Sequence, residues 1–237
     1  MIETFAALLF AHVIADFVLQ TDWIARNKAR PLAFLLHGLL VLIAAQAATG
    51  QWAAPALLIL TGLHLAIDAV KLASKSTGLA AFLWDQGAHL VTLAGVAWLW
   101  PGLWAAGPWA GAPWLLPLMV LVAGAVLSIR AGEFAVGLLM RPHAMRVRNN
   151  GLRNGGRLIG QLERGMIYAL ILLNQPLGVG FLVAAKSILR FGTATRDQRT
   201  AEYVIIGTLA SFLWAILVAY GSAKLLALLP PLEIGAQ

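Results

Sequence analysis

Histidine and aspartate residues recur at helical spacing inside the hydrophobic stretches of this chain. They occupy four separate stretches, as His12 with Asp16, His37, His64 with Asp68, and Asp85 with His89. The members of each pair are four residues apart, which places both side chains on one face of an α-helix. Imidazole and carboxylate groups are ligands of divalent metals, and both also transfer protons. The pattern therefore indicates either a metal site or a site of proton transfer.

Three explanations compete for these seven residues. A single histidine in a membrane helix more often bonds to a neighbouring helix than to a ligand, and a His–Asp pair can satisfy itself. Seven groups with three buried negative charges, however, need cations for balance, because buried charge in a bilayer is costly. Protonated histidines would supply that charge, but a divalent metal supplies it more fully and uses the same residues as ligands. We predict a metal site first, a proton or ion pathway second, and a structural network third.

The chain has no cysteine, which excludes disulfides and thiolate ligands. Seven candidate ligands exceed the usual four of a structural zinc site and suffice for one or two ions. Zinc, manganese and iron all accept such ligands, so the cofactor is predicted only as a divalent metal. The predicted metal ligands are His12, Asp16, His37, His64, Asp68, Asp85 and His89. The aspartates Asp16, Asp68 and Asp85 are also the candidate catalytic residues, and Gln20 and Gln86 are expected to orient water or substrate.

A second set of polar residues lies in the carboxy-terminal half: Arg157, Glu163, Arg164, Lys186, Arg190 and Glu202. Arginine and lysine bind phosphate groups well, so these residues predict an anion site for substrate. The alternative interpretation carries equal weight. In it the cations set the membrane topology, and Lys186 pairs with Glu163 or Glu202.

Composition indicates the elements that must position these residues. Of 237 residues, 60% are hydrophobic and 11% are charged, whereas a soluble domain has about 25% charged residues. We therefore predict an all-α, polytopic transmembrane helix bundle with about six spans and a re-entrant helical hairpin. The predicted spans lie near residues 3–21, 32–49, 53–72, 80–100, 114–137 and 201–228.

The hairpin is predicted at 163–190, because Asn174, Gln175, Pro176, Gly178 and Gly180 interrupt this apolar segment. A single tilted span with a proline kink is the alternative. The expected organisation is one integrated membrane domain. It consists of a five-helix His/Asp-bearing bundle at 1–137, a basic cytoplasmic loop at 138–162, and the hairpin with the last span at 163–237.

The basic residues indicate the orientation of the chain. Sixteen of the 17 lysines and arginines fall in loops on one side of the predicted bundle, and the loops at 49–52 and 101–113 contain none. The positive-inside rule makes that side cytoplasmic and puts both termini outside. Topology therefore explains the net charge of +7 without a nucleic-acid partner, and the tryptophan-rich loop at 101–113 is expected to anchor the outer interface. The amino-terminus lacks the basic region of a removable signal peptide.

This topology also brings the polar groups to one depth. Spans one and three run towards the cytoplasm and span four runs outwards, which matches the reversed order of Asp85 and His89. In all three, the aspartate is expected nearer the cytoplasm and the histidine one turn deeper. His37 lies at a similar depth in span two. The cluster is therefore predicted in the cytoplasmic half of the membrane.

The same residues resemble a bacterial family of unknown function, family 3307. The similarity lies in the runs His12-Val-Ile-Ala-Asp16-Phe-Val-Leu-Gln20-Thr-Asp-Trp, Leu-His37-Gly, His64-Leu-Ala-Ile-Asp68-Ala-Val-Lys71, Asp85-Gln86-Gly-Ala-His89, Gly156-Arg-Leu-Ile-Gly-Gln-Leu-Glu163-Arg164, Ala185-Lys186-Ser-Ile-Leu-Arg190-Phe and Glu202-Tyr-Val-Ile-Ile-Gly207-Thr208. This resemblance implies a bacterial inner-membrane protein and no settled activity. The His-x-x-x-Asp pattern is also similar to that of membrane-bound, metal-dependent hydrolases of the LexA-regulated type. This similarity is an analogy between short sequence patterns.

The leading hypothesis is a metal-dependent membrane hydrolase of a phosphate-bearing, lipid-linked substrate. In that hypothesis Arg157, Arg164, Lys186 and Arg190 hold the anionic group. A transporter for a divalent cation or protons is the second hypothesis, and a non-catalytic membrane scaffold or sensor is the third. The expected partners are membrane lipid and this substrate, and the sequence does not indicate an oligomeric state.

Overall fold

The computed structural model confirms the predicted all-α fold. It describes residues 1–144, 154–191 and 198–231, except for the side chains of 189–191, and every regular element among them is a helix. The long helices match the predicted spans to within a few residues at most boundaries. Contacts divide the chain into two compact units, residues 1–126 with 224–237 and residues 127–223. We describe each unit by itself.

The first unit contains six α-helices in its amino-terminal part. They are α1 (Ile2–Ile14), which continues into a π-helical turn (Ala15–Leu19), α2 (Asp22–Asn27), α3 (Pro31–Thr49), α4 (Pro55–Ser74), α5 (Leu79–Leu99) and α6 (Leu115–Val126). A short 3₁₀ turn, Pro108–Gly111, lies between α5 and α6.

Local sequence explains where several of these helices begin and end. Pro31 and Pro55 occupy the first turns of α3 and α4, where a missing N–H costs nothing. The Thr21 hydroxyl caps α2 by accepting from the Ile24 N–H. Gly50 ends α3 in the left-handed conformation, with φ of 68°, which glycine adopts without strain.

Helix α1 lies at the centre of the first unit and packs against α3, α5 and α6. Small residues cover much of its surface and that of its neighbour α3, including the buried Ala6, Ala7, Ala11, Ala45 and Ala48. Side chains of this size let helix backbones approach closely, which is the usual basis of helix packing in membranes. The close approach brings the polar face of α1 against its neighbours.

The second unit contains a π-helical turn (Leu127–Ala131), then α7 (Gly132–Ala144), α8 (Gly155–Leu172), α9 (Pro176–Phe191) and most of α10 (Gln198–Leu226). Helices α8 and α9 pack against each other across a turn at residues 173–175. The predicted hairpin segment thus consists of two helices. The first begins at Gly155, so the described residues 138–144 and 155–162 are helical.

Five helical segments are long and apolar enough to cross a membrane: Ile2–Leu19, Pro31–Thr49, Pro55–Ser74, Leu115–Ala144 and Gln198–Leu226. The remaining predicted span, 80–100, corresponds to α5, which has 21 residues but carries Asp85, Gln86 and His89. These three polar residues lower its hydropathy. The chain is therefore a membrane protein by helix length and composition.

Candidate metal site

All seven predicted metal ligands come together in the first unit. They belong to four helical elements: α1 with its π-helical turn, α3, α4 and α5. Three overlapping groups of donor atoms lie close enough to hold an ion: His12 with Asp16 and His64, His37 with His64 and Asp68, and Asp68 with Asp85 and His89. The side chains are at most 9% exposed. A buried cluster of this kind cannot be satisfied by bulk water.

Four of these side chains form the tightest part of the cluster. The Nε2 atoms of His37 and His64 are 3.0 Å apart. Oδ1 of Asp16 lies 3.5 Å from the first and 3.4 Å from the second. Oδ2 of Asp68 lies 3.4 Å and 3.6 Å from the same two nitrogens. We call these four donor atoms the His/Asp tetrad.

The distances around the two tetrad nitrogens fit ligands that share one metal ion. Zinc binds histidine nitrogen and carboxylate oxygen at about 2.0–2.2 Å, so ligands at tetrahedral corners lie about 3.3–3.6 Å from one another. The two nitrogens lie 3.0–3.6 Å from each other and from the two carboxylate oxygens, close to this range. Two nitrogens and two carboxylate oxygens form a donor set that zinc, manganese and iron accept. The tetrad residues therefore fit the group that the sequence predicts.

His89 presents a free lone pair beside the tetrad. Its Nδ1 lies 2.8 Å from the backbone oxygen of Asp85, which can only accept, so Nδ1 carries the proton. Its Nε2 is then unprotonated, and it has no hydrogen-bond partner among the described residues although it is buried. A backbone carbonyl that fixes the tautomer in this way is typical of a metal-binding histidine.

His12 is held in the same manner by Gln86. The Gln86 Oε1 accepts from Nε2 of His12 at 3.3 Å, and the Gln86 amide nitrogen donates to Oδ2 of Asp85 at 3.2 Å. Nδ1 of His12 is therefore left with a lone pair, 3.9 Å from Oδ2 of Asp16. The rings of His12 and His89 stack with centroids 5.0 Å apart. Gln86 thus connects α1 to α5 and orients one candidate ligand.

Two lysines that sequence reasoning did not assign to the site complete it. Nζ of Lys28 lies 2.7 Å from Oδ2 of Asp68, and Nζ of Lys71 lies 2.7 Å from Oδ2 of Asp85. These cations balance the negative charges of Asp68 and Asp85. Of the three carboxylates, Asp16 is therefore the one whose charge a metal ion would have to balance. Their signal in the sequence was weak, because basic residues after a span are expected from topology whatever they contact.

Asp16 is the second residue of the π-helical turn that follows α1. Such turns widen a helix by one residue and are frequent at functional sites. Gln20 ends this turn in an extended conformation, so it does not continue the helical face that i, i+4, i+8 spacing predicts. Its Oε1 accepts from Nζ of Lys28 at 3.3 Å. Gln20 therefore acts on the cluster through the lysine that pairs with Asp68.

Apolar residues close the other side of the cluster. A cavity of about 10 Å³, room for about one water, lies among His12, His64 and His89 and is bounded by apolar side chains including Leu8, Val41, Leu60 and Leu93. Most of these belong to the main hydrophobic core, which continues to Leu103 and Trp104. Thr4 joins that end of α1 to the tryptophan-rich loop, because its hydroxyl donates to the Pro101 oxygen and accepts from the Trp104 N–H. Among the residues that line this cavity, Thr92 is the only polar one besides the three histidines, and its hydroxyl donates to the His89 backbone oxygen.

The predicted anion-binding residues lie in the second unit, where most of them have partners. Arg157 Nε lies 2.6 Å from Oε1 of Glu133, and Lys186 Nζ lies 2.6 Å from Oε2 of Glu163. The structure thus selects Glu163, and not Glu202, as the partner of Lys186. Arg164 donates instead to neutral groups, the Ser211 hydroxyl at 2.9 Å and the Ile129 oxygen at 3.0 Å.

Two predicted substrate-binding residues remain outside this arrangement. Glu202 accepts from the side chain of Gln198 at 2.9 Å on an exposed part of α10. Arg190 belongs to α9 by its backbone, but its side chain lies outside the part of the chain that the structure describes. Both stay predictions.

Comparison with known proteins identifies a family and nothing further. Residues 4–105, a little under half of the chain, match the model of a family described as "Protein of unknown function (DUF3307)". The predicted resemblance to family 3307 is confirmed over these residues, which include all seven histidines and aspartates of the cluster. Neither the curated proteins nor the solved structures that were compared with the chain include a match.

Proposed function

We propose that the His/Asp tetrad binds one divalent metal ion and that the protein is a metal-dependent hydrolase of a phosphate-bearing, lipid-linked substrate. The observation that carries this proposal is the spacing around the His37 and His64 nitrogens, whose distances to each other and to the two carboxylate oxygens are close to those between ligands of one metal ion. In this proposal the protein lies in the bacterial inner membrane, with both termini outside and the tetrad open to the cytoplasmic side.

The charges of the cluster favour one ion over two. Asp16, Asp68 and Asp85 carry three negative charges, and Lys28 and Lys71 offset two of them. A single divalent ion then leaves one excess positive charge in a buried space, whereas two ions leave three. Buried charge without compensation is strongly unfavourable. His12 and His89, with their free lone pairs, are the residues left to contact substrate or water beside the tetrad.

The chemistry follows from these residues. A bound divalent metal would polarise a phosphoryl oxygen and lower the pKa of a water molecule. Asp85 is held by Lys71 and Gln86, and Asp16 contacts histidines instead of a lysine. Asp16 is therefore the carboxylate best suited to accept a proton from water. His12 is oriented by Gln86, and it presents its free nitrogen in the same space.

The apolar layer beside the histidines supports hydrolysis over transport. A transporter needs a polar route to both sides of the membrane, usually at a midplane site between broken helices. Here the core around Leu8, Leu60 and Leu93 borders the cluster on one side. The cations Lys28 and Lys71, which are 15% and 39% exposed, border it on the other.

The first test measures the metal content of the protein purified in detergent. We expect about one ion for each chain and its loss in His64→Ala, which removes a tetrad nitrogen. His143→Ala is the matched control, because His143 is the fifth histidine of the chain and is exposed on α7. A wild-type protein that contains no metal after expression in supplemented medium, and whose unfolding temperature is unchanged by a chelator, would contradict the proposal.

The second test separates hydrolysis from the other functions. Phosphate release from lipid-linked phosphates in nanodiscs, dependent on metal and absent in Asp16→Asn, supports the hydrolase. Metal flux into proteoliposomes without phosphate release identifies a transporter. The panel of lipids includes phosphomonoesters and phosphodiesters. If the protein binds metal but shows neither hydrolysis of any of these lipids nor metal flux, the scaffold hypothesis is the one that remains.

A further inference from the structure

A large cavity lies within the second unit, between α7, α8 and α10. Its volume is about 1010 Å³, and it is lined by described residues that include Lys186 of α9. Pockets for small molecules are usually about 300–1,000 Å³. The space is therefore large enough for a bulky ligand.

The charged residues of this lining favour an anion. Four cations line the cavity, Arg141, Arg157, Arg164 and Lys186, against two carboxylates, Glu133 and Glu163. The carboxylates pair with Arg157 and Lys186. Arg164 and Arg141 thus supply positive charge in excess of these pairs, one from a buried and one from an exposed position.

Arg164 is built into the wall of the cavity. It is 3% exposed, and two of its nitrogens donate to the Ser211 hydroxyl and the Ile129 oxygen, whereas its buried Nε has no partner among the described residues. Two glycines make room for its side chain. A Cβ at Gly132 would lie 2.8 Å from Cδ of Arg164, and one at Gly160 would lie 3.0 Å from its Nη1. Its hydrogen-bond partners are neutral, so no carboxylate bonds to this guanidinium, although Glu133 and Glu163 lie near enough to act on it electrostatically. Donors of this kind suit an anionic ligand.

Apolar residues line much of the rest of the cavity, beside the hydroxyl-bearing Thr200, Tyr203, Thr208 and Ser211. The apolar residues include Phe134, Val136, Leu138, Met140, Ile159 and Val204. A small inorganic anion would leave this surface uncovered, whereas a hydrocarbon chain would bury it at about 25 cal/mol for each square ångström. The lining therefore has a cationic part and an apolar part, as an amphiphile requires.

We propose that this cavity binds an amphiphile with a phosphate monoester headgroup, in which Arg164 and Arg141 contact the phosphate and the apolar wall contacts the hydrocarbon chain. The inference goes beyond the proposed function and concerns the second unit alone. Binding itself requires no metal, so the two ideas fail separately.

Three probes distinguish the sources of the phosphate. Binding is measured on the full-length protein in detergent by thermal shift and by calorimetry, with short-chain phosphatidic acid, short-chain diacylglycerol and inorganic phosphate. We expect phosphatidic acid to bind at least about 100-fold more tightly than either of the others, a difference of about 2.7 kcal/mol. Equal binding of diacylglycerol would overturn the role of the arginines. Equal binding of inorganic phosphate would overturn the role of the apolar wall.

Variants then locate the site. Gly137 and Gly207 line the cavity, and an added Cβ meets nothing within 4 Å at Gly137 and only the Met140 side chain, at 3.6 Å, at Gly207. The double change Gly137→Leu with Gly207→Leu should therefore place two side chains in the cavity with no close contact at either Cβ, and it should weaken phosphatidic acid binding by about tenfold or more. Gly62→Leu is the control, because Gly62 is an exposed glycine of α4 with open space around its Cβ position.

Two further variants test the charge and the independence from metal. Arg141→Gln removes an exposed cation of the lining and should weaken binding about threefold, whereas Arg26→Gln, at an exposed arginine of α2, should not change it. His64→Ala should lose metal but still bind phosphatidic acid. Unchanged binding in both the glycine double variant and Arg141→Gln would overturn the site.

Discussion

Nζ of Lys28 lies 2.7 Å from Oδ2 of Asp68, a carboxylate that is 2% exposed. The lysine comes from the end of the six-residue helix α2, and the aspartate from the middle of the membrane-length helix α4. The pair therefore connects a short interfacial helix to the metal-ligand cluster. It also supplies positive charge at an oxygen of the tetrad itself, so lysine and metal act on one carboxylate.

Replacement of Lys28 by methionine tests this relationship. Lys28→Met keeps the unbranched stem but leaves Asp68 buried without its cation, so we expect the metal-free protein to lose about 2 kcal/mol of stability. The loss should be smaller when metal is bound, because the ion supplies charge at the same oxygen. Thermal unfolding in detergent, with chelator and with metal, measures both values. The exposed pair of Arg26 with Asp22 provides the control Arg26→Met, which should unfold like the wild type. An equal loss in the two conditions would show that lysine and metal do not share Asp68.

Asp16→Asn separates metal binding from folding. Asp16 contacts His37 and His64, and its carboxylate is the one that neither Lys28 nor Lys71 balances. An asparagine of the same shape removes a buried charge, so metal-free stability should stay within about 1 kcal/mol of the wild type or rise. Metal content should nevertheless fall to background, because the neutral amide is a far weaker ligand. Asp22→Asn, at an aspartate that is 94% exposed, is the control. Retention of metal in Asp16→Asn would exclude Asp16 from the ligand set.

Gly132 and Gly137 form a matched pair on α7. A Cβ at Gly132 would lie 2.6 Å from Cδ1 of Trp214 and 2.8 Å from Cδ of Arg164, whereas one at Gly137 would meet nothing within 4 Å. We expect Gly132→Ala to destabilise the protein by about 1–3 kcal/mol through overpacking. Gly137→Ala should be neutral or stabilising by up to about 1 kcal/mol, because alanine is the better helix former. Chemical unfolding in detergent measures both, and equal effects would contradict the close approach at Gly132.

Thr4 and Thr61 test the attachment of the tryptophan-rich loop. Thr4 is fully buried, and its hydroxyl bonds to the Pro101 oxygen and the Trp104 N–H, whereas the Thr61 hydroxyl donates to the Leu57 oxygen within its own helix. Thr4→Val leaves the Trp104 N–H without its partner and removes one of two donors to the Pro101 oxygen, which also accepts from the Met1 amino group, so it should cost about 1–3 kcal/mol. Thr61→Val should cost much less, since the Leu57 oxygen is on the same helix. Tryptophan fluorescence during unfolding follows the loop directly. If Thr4→Val leaves the fluorescence midpoint unchanged, the loop is held by other contacts.

The absence of cysteine allows a direct test of orientation. Single cysteines at Ser76, in the turn after α4, and at Gly111, in the turn before α6, would each be the sole thiol of the chain. We expect Gly111→Cys to react with a membrane-impermeant reagent in intact spheroplasts, and Ser76→Cys to react only after lysis. The opposite pattern would invert the topology and place the tetrad on the other side of the membrane.

The cluster could be identified from the sequence because its histidines and aspartates recur at the spacing of an α-helix. Spacing of four residues fixes a helix face, and the reversed order of Asp85 and His89 fits an antiparallel neighbour, so local rules sufficed to bring α1, α4 and α5 together. The span boundaries were predictable for a similar reason, since apolar length alone defines them.

The remaining features depend on contacts between distant residues or on irregular backbone. Lys28 contacts Asp68, which lies 40 residues later in the chain. In the sequence, Lys28 is simply a basic residue that follows a predicted span, so its partner could not be predicted. The π-helical turn at Ala15–Leu19 adds a residue that a regular period cannot reveal, so Gln20, eight residues after His12, does not lie on the helical face that this spacing would give. In the second unit, Arg164 bonds to a hydroxyl and a backbone carbonyl oxygen. Both groups are uncharged, so no pattern of opposite charges in the sequence could identify them as its partners.

The apolar core beside His12, His64 and His89 has an electrical consequence. A layer of hydrocarbon side chains that excludes water and ions is an insulator, and most of a transmembrane voltage falls across the least polarisable part of its path. The cluster, bordered by Lys28 and Lys71 on the opposite face, would then lie near the potential of the compartment that those lysines face. The fraction of clusters that hold a metal ion should therefore follow the metal concentration in that compartment and should be nearly independent of membrane voltage.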